Sequence, residues 1–322
     1  MTQPDVHSGL EPEMARRGLR LRRILHPTDC SPESRTAFVH ALKLAVASRA
    51  ELDIVHIESD PQPADLERLP SVRKTLIEWG TLPHGASQHD VAALGITVRK
   101  LCLRADDASQ GLLHFLAKHD EDLIVLSTHQ RHGIDRWFRP EIATHVAMRS
   151  HVATLFVPAD SLGFVNAGNG TSDLQHVVLP VDDSPSPQTA INLSAELIRS
   201  LAPAGSVPTF SVVHVGPSPM TRPDIRYPSD SGWDWQWLAR GEDVVHDIVN
   251  VAEEKSADLI AMSTLGHTCW KDILSGCTTE NVVHNARCPV LAVYAFESAP
   301  VEQPARVTTQ TDPISNPRVA FG

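Results

Sequence analysis

Three segments of this chain occur twice, in the same order. The first is an apolar run that ends in Pro-x-Asp, the second places a histidine within an apolar run, and the third reads Asp-Leu-Ile-x-x-Ser-Thr. The pairs are Ile24–Pro32 with Val177–Pro185, Ile54–Ile57 with Val212–Val215, and Asp122–Thr128 with Asp258–Thr264. Their displacements of 153, 158 and 136 positions differ, so the loops between them have changed length. The repetition predicts a duplicated unit that folds as two similar domains.

The length of the chain agrees with this division. Its 322 residues are enough for about two domains of roughly 150 residues each. A stretch rich in glycine and asparagine separates the two copies and reads as a linker. We expect domains at 20–158 and 174–295, a linker at 159–173, and loose tails at 1–19 and 296–322.

Short apolar runs alternate with helical patterns in both copies, which predicts an α/β fold. In the first copy the predicted helices include Ser31–Ser48, Ala64–Gly80 and Ala108–His119. The second copy replaces some helix with a proline-rich loop at Val215–Gly232, after which three alternating tryptophans indicate a strand with one aromatic face. Each domain should be doubly wound, with an open five-stranded parallel sheet flanked by helices.

Composition excludes several classes of protein. The net charge of −11 argues against a general nucleic-acid or membrane-surface binder, and no apolar stretch suits a signal peptide or a membrane span. Five cysteines without CxxC spacing form no disulfide framework, so we expect a cytoplasmic protein with reduced thiols. Its 17 histidines show no zinc-finger spacing, and we predict no metal site. The lesser alternative is a metal site around Asp29, Cys30, His56 and His129.

A ligand site is predicted at the carboxyl ends of the strands, where open parallel sheets bind their ligands. Asp29 and Asp182 each close the first strand of their copy, and a carboxylate there can accept hydrogen bonds from a ribose or a base or can cap the next helix. In the second copy the fourth strand leads to Gly266 and Gly276, followed by a predicted helix. Glycine allows backbone N–H groups to approach a phosphate, and a helix N-terminus attracts its charge.

These motifs resemble those of the universal stress protein family, and the chain is similar to two fused family domains. The family's Pro-x-Asp matches both copies, and its His-Val pair matches His214-Val215 and, with isoleucine, His56-Ile57. The family's nucleotide motif is Gly-x2-Gly-x9-Gly-Ser/Thr. The second copy reads Ser263-x2-Gly266-x9-Gly276-Cys277. The resemblance implies a fold like that of the adenine nucleotide alpha hydrolases.

The two copies depart from the nucleotide motif to different extents. In the second copy, Ser263 replaces the first glycine and Cys277 the terminal Ser/Thr, so two of four motif positions remain. The first copy retains none, and it reads Ser127, Gln130, Pro140 and Glu141 at those places. Proline removes a backbone donor and glutamate adds negative charge where phosphate would lie. We therefore expect nucleotide binding in the second copy alone.

The resemblance implies a stress-response protein that binds ATP, with or without Mg²⁺, to regulate interaction with an unknown protein partner rather than for turnover. The residues expected around the nucleotide are Pro180, Val181, Asp182, Val215, Met262, Ser263, Gly266, Gly276, Cys277 and Thr278. No catalytic residue is assigned. The alternatives are a nucleotide-independent interaction module and a slow ATPase. Family members pair through their last strand, so Thr154–Val157 and Pro289–Val293 should meet within the chain, and further dimerisation of the whole chain is also open.

Overall fold

The computed structural model describes residues 21–58, 65–128, 140–182, 184–216, 225–228, 232–241, 243–265 and 277–295, with the side chains of 140–142 and 144 left out. Within these ranges the chain is an α/β protein whose strands belong to a single sheet. None of the helices in the described ranges has the length and apolar character needed to cross a membrane.

The first copy alternates strands and helices as predicted. Its elements are β1 (Arg23–Pro27), α1 (Arg35–Ser48), β2 (Glu51–Glu58), α2 (Val72–Glu78), α3 (Gln88–Ala93), β3 (Thr97–Arg104), α4 (Ala108–Leu116), β4 (Leu123–Thr128), α5 (Pro140–Ser150) and β5 (Ala153–Pro158). The helix expected over Ala64–Gly80 is confined to α2 in the described residues. Pro70 disfavours helical backbone at the residue before it, and the Ser71 hydroxyl caps the helix that follows.

The second copy repeats the order with fewer helices in its described part. Its elements are β6 (His176–Pro180), α6 (Gln188–Leu201), β7 (Thr209–Val215), β8 (Asp234–Arg240), α7 (Val244–Glu254), β9 (Leu259–Thr264), α8 (Thr278–Asn285) and β10 (Val290–Tyr294). The alternating tryptophans lie at and within β8, which confirms the strand predicted there. Residues 225–228 of the proline-rich segment lie outside helix and strand.

The ten strands follow the order β3-β2-β1-β4-β5-β10-β9-β6-β7-β8, so the two copies share one continuous sheet. Pairing is parallel within each copy, which confirms the five-stranded parallel sheets. The junction is antiparallel: Phe156 pairs with Val290, Leu155 with Leu291, and Thr154 with Ala292. The two last strands therefore meet within the chain, as the family resemblance implied.

Helices cover both faces of this sheet, which explains why its strands are apolar on both sides. In β4 and β10 every residue is buried, so neither strand shows the alternation of a half-exposed strand. Each face has its own apolar cluster, and each cluster contains residues from both copies. Helix α1 packs against α6, and α5 packs against α8. The two copies thus share their hydrophobic cores.

The aspartate that opens the third repeated segment has the same structural role in both copies. Asp122 Oδ2 accepts hydrogen bonds from the backbone N–H groups of Arg22 and Arg23, at 2.7 and 2.9 Å. Asp258 Oδ2 accepts from the N–H groups of Gln175 and His176, both at 2.9 Å. Each carboxylate satisfies backbone donors at the start of the first strand of its copy, which accounts for the repetition of this residue.

The segment predicted as a linker is packed against the first copy. His40 on α1 donates from Nδ1 to the Thr36 carbonyl oxygen at 2.7 Å, and its Nε2 accepts from the N–H groups of Phe164 and Val165 at 3.0 and 3.2 Å. Burial lowers the pKa of His40 to about 4, which keeps the ring neutral and able to accept at Nε2. Phe164 and Val165 are buried, so the segment belongs to the core of the first copy.

Candidate functional site

The carboxyl ends of β6, β7 and β9 form the predicted binding edge of the second copy. The hydrogen bonding between β6 and β7 continues for one residue beyond Pro180, because the Val181 N–H donates to the Val213 carbonyl oxygen at 2.9 Å. The His214 ring faces the Val181 carbonyl oxygen, with 3.3 Å between Nδ1 and the oxygen. A carbonyl can only accept, so this contact requires the proton on Nδ1. The histidine of the second repeated segment therefore orients the backbone just before Asp182.

The first copy has the same arrangement, with a shorter contact between the histidine and the carbonyl oxygen. Thr28 N–H donates to the Val55 carbonyl oxygen at 2.9 Å, and His56 Nδ1 lies 2.7 Å from the Thr28 carbonyl oxygen. Asp29 follows, and its Oδ1 accepts from the Ser31 N–H at 2.7 Å in a local turn. The contact of the histidine with the first-strand loop is thus a property of the repeated unit.

A cavity of about 320 Å³ opens at this edge of the second copy. It contacts eight of the ten residues predicted from the sequence: Pro180, Val181, Asp182, Val215, Met262, Ser263, Cys277 and Thr278. The other two, Gly266 and Gly276, lie outside the described residues. The sequence prediction thus brought together residues that are far apart in the chain and adjacent in the fold.

The remaining lining residues were not predicted. They are Ser184, Pro185, Val213, Val244, Ile248, Thr264, Leu265 and Thr279. Val213 and Thr264 belong to repeated segments, so their positions at strand ends were a usable signal. Val244 and Ile248 lie one turn apart on α7, and only the packing of that helix beside β7 brings them to the cavity.

The cavity has an apolar wall and a polar rim. Val213, Ile248 and Met262 are buried, and Val215 is half-buried, whereas the Asp182 side chain is exposed to solvent at the opening. Apolar walls with a few polar groups are typical of small-molecule binding pockets. The single carboxylate on the described lining is placed where it can hydrogen-bond a ligand at the rim.

The other end of the cavity is the N-terminus of α8. Cys277 is the N-cap residue, with extended backbone (φ −82°, ψ 144°), and the helix begins at Thr278. The first N–H groups of a helix have no intrahelical acceptor, and the helix dipole adds partial positive charge. Glu280 lies in the first turn, and its carboxylate is 3.9 Å from His284 Nε2. The helix end can therefore receive an anionic group, next to one negative side chain.

Ser263 is the motif position at which serine replaces glycine. Its Oγ is buried, and no described residue forms a hydrogen bond with it. The corresponding Ser127 of the first copy instead donates to the Glu33 carbonyl oxygen at 3.2 Å. An orphaned buried hydroxyl beside the cavity is a group that a polar ligand could satisfy.

In the first copy, the nucleotide motif falls mainly outside the described residues. Gln130 is not described, and neither are the side chains of Pro140 and Glu141, so the absence of ATP binding there stays a prediction. Cys30 takes a left-handed backbone (φ 66°), and burial raises the pKa of its thiol to about 11. His129 lies outside the described residues, so the absence of a metal site around Asp29, Cys30 and His56 stays a prediction.

Comparison with known proteins assigns the chain to a family. The model of the universal stress protein family matches residues 20–158 and 230–294, together more than half of the chain.

Two universal stress proteins of Methanocaldococcus jannaschii are 52% identical over 48 residues and 45% identical over 47 residues. These stretches span only 28% and 29% of the two proteins and 15% of this chain. A solved universal stress protein of Archaeoglobus fulgidus aligns over 87% of this chain and 98% of its own, with a TM-score of 0.57 and 15% identity, and therefore shares the fold. The chain belongs to the universal stress protein family.

Proposed function

We propose that the second copy binds an adenine nucleotide, ATP, in the cavity between β6, β7, β9 and α8. The observation that carries the proposal is the convergence of eight predicted residues on one cavity at the carboxyl ends of parallel strands. Its volume of about 320 Å³ falls within the range of small-molecule sites, roughly 300 to 1,000 Å³. The family membership of the chain supports a nucleotide as the ligand.

In this proposal the adenine ring lies against Val215 and Met262, and Asp182 accepts hydrogen bonds from the ribose or the base. The phosphates extend toward the N–H groups of Cys277 and Thr278, with Gly266 and Gly276 allowing the close approach expected of the motif. Mg²⁺ would be held chiefly by the phosphates, because Asp182 is the single carboxylate on the described lining.

Binding without rapid turnover is part of the proposal. No described lining residue of the cavity is a histidine or a second carboxylate, the groups that act most often as general bases. ATP would then change the surface that the protein presents to a protein partner, and its release would restore the first state.

The test is titration calorimetry of the nucleotide-stripped protein with ATP and Mg²⁺. We expect one site per chain. Asp182→Ala should weaken binding by about 10- to 100-fold, the range for a lost hydrogen bond to a charged group. Gly276→Asp, which places a carboxylate at the phosphate end, should abolish binding.

The matched control is Asp29→Ala, the same change at the equivalent position of the first copy, and it should leave the affinity unchanged. No heat at millimolar ATP would reject the proposal in favour of a nucleotide-independent interaction module. Turnover that Asp182→Ala abolishes would instead identify a slow ATPase.

A further inference from the structure

A cluster of charged side chains lies at the amino ends of β2 and β4 in the first copy. Asp53 is the third residue of β2 and is 1% exposed, and Glu121 precedes β4 and is 7% exposed. His119 lies in the turn between α4 and β4 and is half-buried. Strand β1 pairs with both β2 and β4, which brings the three side chains together.

The three side chains present one ligand atom each at mutual distances within 4.8 Å. In a zinc site with bonds of about 2.0 to 2.1 Å, neighbouring ligand atoms are roughly 3.3 Å apart, so small side-chain adjustments would close the set around one ion. The His119 ring stacks on Phe115, with 4.1 Å between ring centroids and an interplanar angle of 16°. This contact holds the imidazole in place beside the two carboxyl groups.

The packing of the fold does not explain why the Glu121 side chain is buried in this cluster. Its side chain is almost completely buried, and neither carboxylate oxygen has a hydrogen-bond partner among the described residues. One Glu121 oxygen lies within 4.8 Å of a ligand atom of Asp53 and of one of His119, so an ion bound among them would supply a missing partner.

The neighbouring arginines only partly neutralise the cluster. The Arg99 guanidinium bonds both oxygens of Asp53 and also lies 2.7 Å from Glu51, and Arg23 lies 3.4 Å from the same glutamate. When Glu121 is ionised, it brings a third negative charge to those of Asp53 and Glu51. The two arginines supply two positive charges, so one negative charge remains. Each oxygen of Asp53 keeps a further lone pair that can face an ion.

The second copy shows that the fold has no need for these groups. The residue of the second copy that corresponds to Asp53, at the offset of 158, is Ser211. At the offset of 136, His119 and Glu121 correspond to Lys255 and Ala257. Ser211 shares a 2.9 Å hydrogen bond with His176, and Lys255 Nζ donates to Gln236 at 3.1 Å. At the corresponding place the second copy therefore has one apolar side chain and two polar side chains that form hydrogen bonds.

We propose that Asp53, His119 and Glu121 bind one divalent transition-metal ion, for which Zn²⁺ is the best match. One imidazole and two carboxylates are ligands that Zn²⁺ accepts, and three protein ligands leave a coordination position for water. The ion would supply the partner that the buried Glu121 oxygens lack and would offset the excess negative charge. This site is independent of the nucleotide cavity.

The test is calorimetric titration of the full chain with Zn²⁺ at pH 8, after removal of bound metal with a chelator. We expect one site that Glu121→Gln weakens by about tenfold or more, because the amide keeps the shape but loses the anionic ligand. Zn²⁺ should also raise the unfolding temperature of the wild-type protein and leave that of the variant unchanged. His119→Asn should act in the same direction.

The control is His89→Asn, which removes an exposed histidine far along the chain from the cluster and should not change binding. Glu121→Ala is a second variant, which we expect to fold because the second copy carries Ala257 at the corresponding position. If Zn²⁺ does not bind to the wild-type protein, or binds equally to the Glu121 and His119 variants, the proposal is overturned, and the cluster is a pair of carboxyl groups sharing a proton.

Discussion

At the scale of single residues, the second copy departs from the family nucleotide motif at two positions that border the cavity. Ser263 and Cys277 occupy positions at which the family motif has glycine and Ser/Thr, and both border the cavity. Cys277 is the N-cap residue of α8, but its side chain forms no capping hydrogen bond. Only its backbone conformation serves the start of the helix. A thiol is a weaker donor and acceptor than a hydroxyl, so in the proposed nucleotide site Cys277 should bind a phosphate less tightly than Ser or Thr would.

Cys277→Ser should therefore increase the affinity for ATP. One additional neutral hydrogen bond contributes about 1 kcal/mol, which corresponds to roughly a fivefold lower Kd. Titration calorimetry with ATP and Mg²⁺ would measure the change. Cys102→Ser, the same substitution on β3 of the first copy, should have no effect on affinity. Unchanged or weaker binding by Cys277→Ser would mean that this side chain does not face the phosphates.

At the scale of elements, the segment between the copies is more ordered than its composition suggests. Gly163 and Gly170 both have left-handed backbone (φ 60° and 67°), and a Cβ at either would overlap a side chain of the first copy, His40 and Trp79 respectively. Trp79 also donates from Nε1 to the Ala167 carbonyl oxygen at 3.1 Å. The glycines that made the segment resemble a flexible linker in fact allow it to pack closely against α1 and α2.

Gly170→Ala should destabilise the protein by more than the backbone strain alone. The left-handed conformation costs a non-glycine residue about 1 to 2 kcal/mol, and displacement of the Trp79 ring adds to that. Gly205→Ala is the control, because that residue is also left-handed (φ 81°) but its Cβ would meet no atom within 4 Å. Urea unfolding would compare the two variants. Equal losses would show that the contact with Trp79 contributes nothing to stability.

At the scale of the whole molecule, the junction between β5 and β10 makes one sheet of two. Leu155 and Leu291 face each other across the junction, and both are completely buried. The apolar clusters on the two faces of the sheet each draw residues from both copies. The copies therefore share core packing as well as backbone hydrogen bonds, which couples their stabilities.

We expect the two copies to unfold in one cooperative transition. Leu291→Ala should lower the free energy of unfolding by about 2 to 5 kcal/mol, as large-to-small core substitutions do. Hydrogen exchange at increasing urea would follow peptides from β2 and from β7, and both should lose protection at the same lowered midpoint. Leu66→Ala, at an exposed position, should change neither. Loss of protection confined to the second copy would show that the two copies unfold independently.

Much of the fold was predictable from local pattern. The alternation of buried strands and helices, the parallel pairing and the meeting of the last strands followed from the repeated segments and the family resemblance. Eight cavity residues were predicted because the family resemblance marks them and because they lie at strand ends and at a helix start. The extent of α2 was overestimated, because Pro70 and the Ser71 cap restrict the helix more than its apolar spacing suggested.

The sequence by itself determined the duplication, the α/β architecture and the strand ends at which the cavity lies, because these depend on residues close together in the chain. The tertiary structure alone decided the contributions of α7 to the cavity, the packing of the intervening segment on His40 and Trp79, and the cluster of Asp53, His119 and Glu121. The members of these sets are separated by many residues, and no periodicity or spacing records contacts that arise only when strands and helices pack side by side.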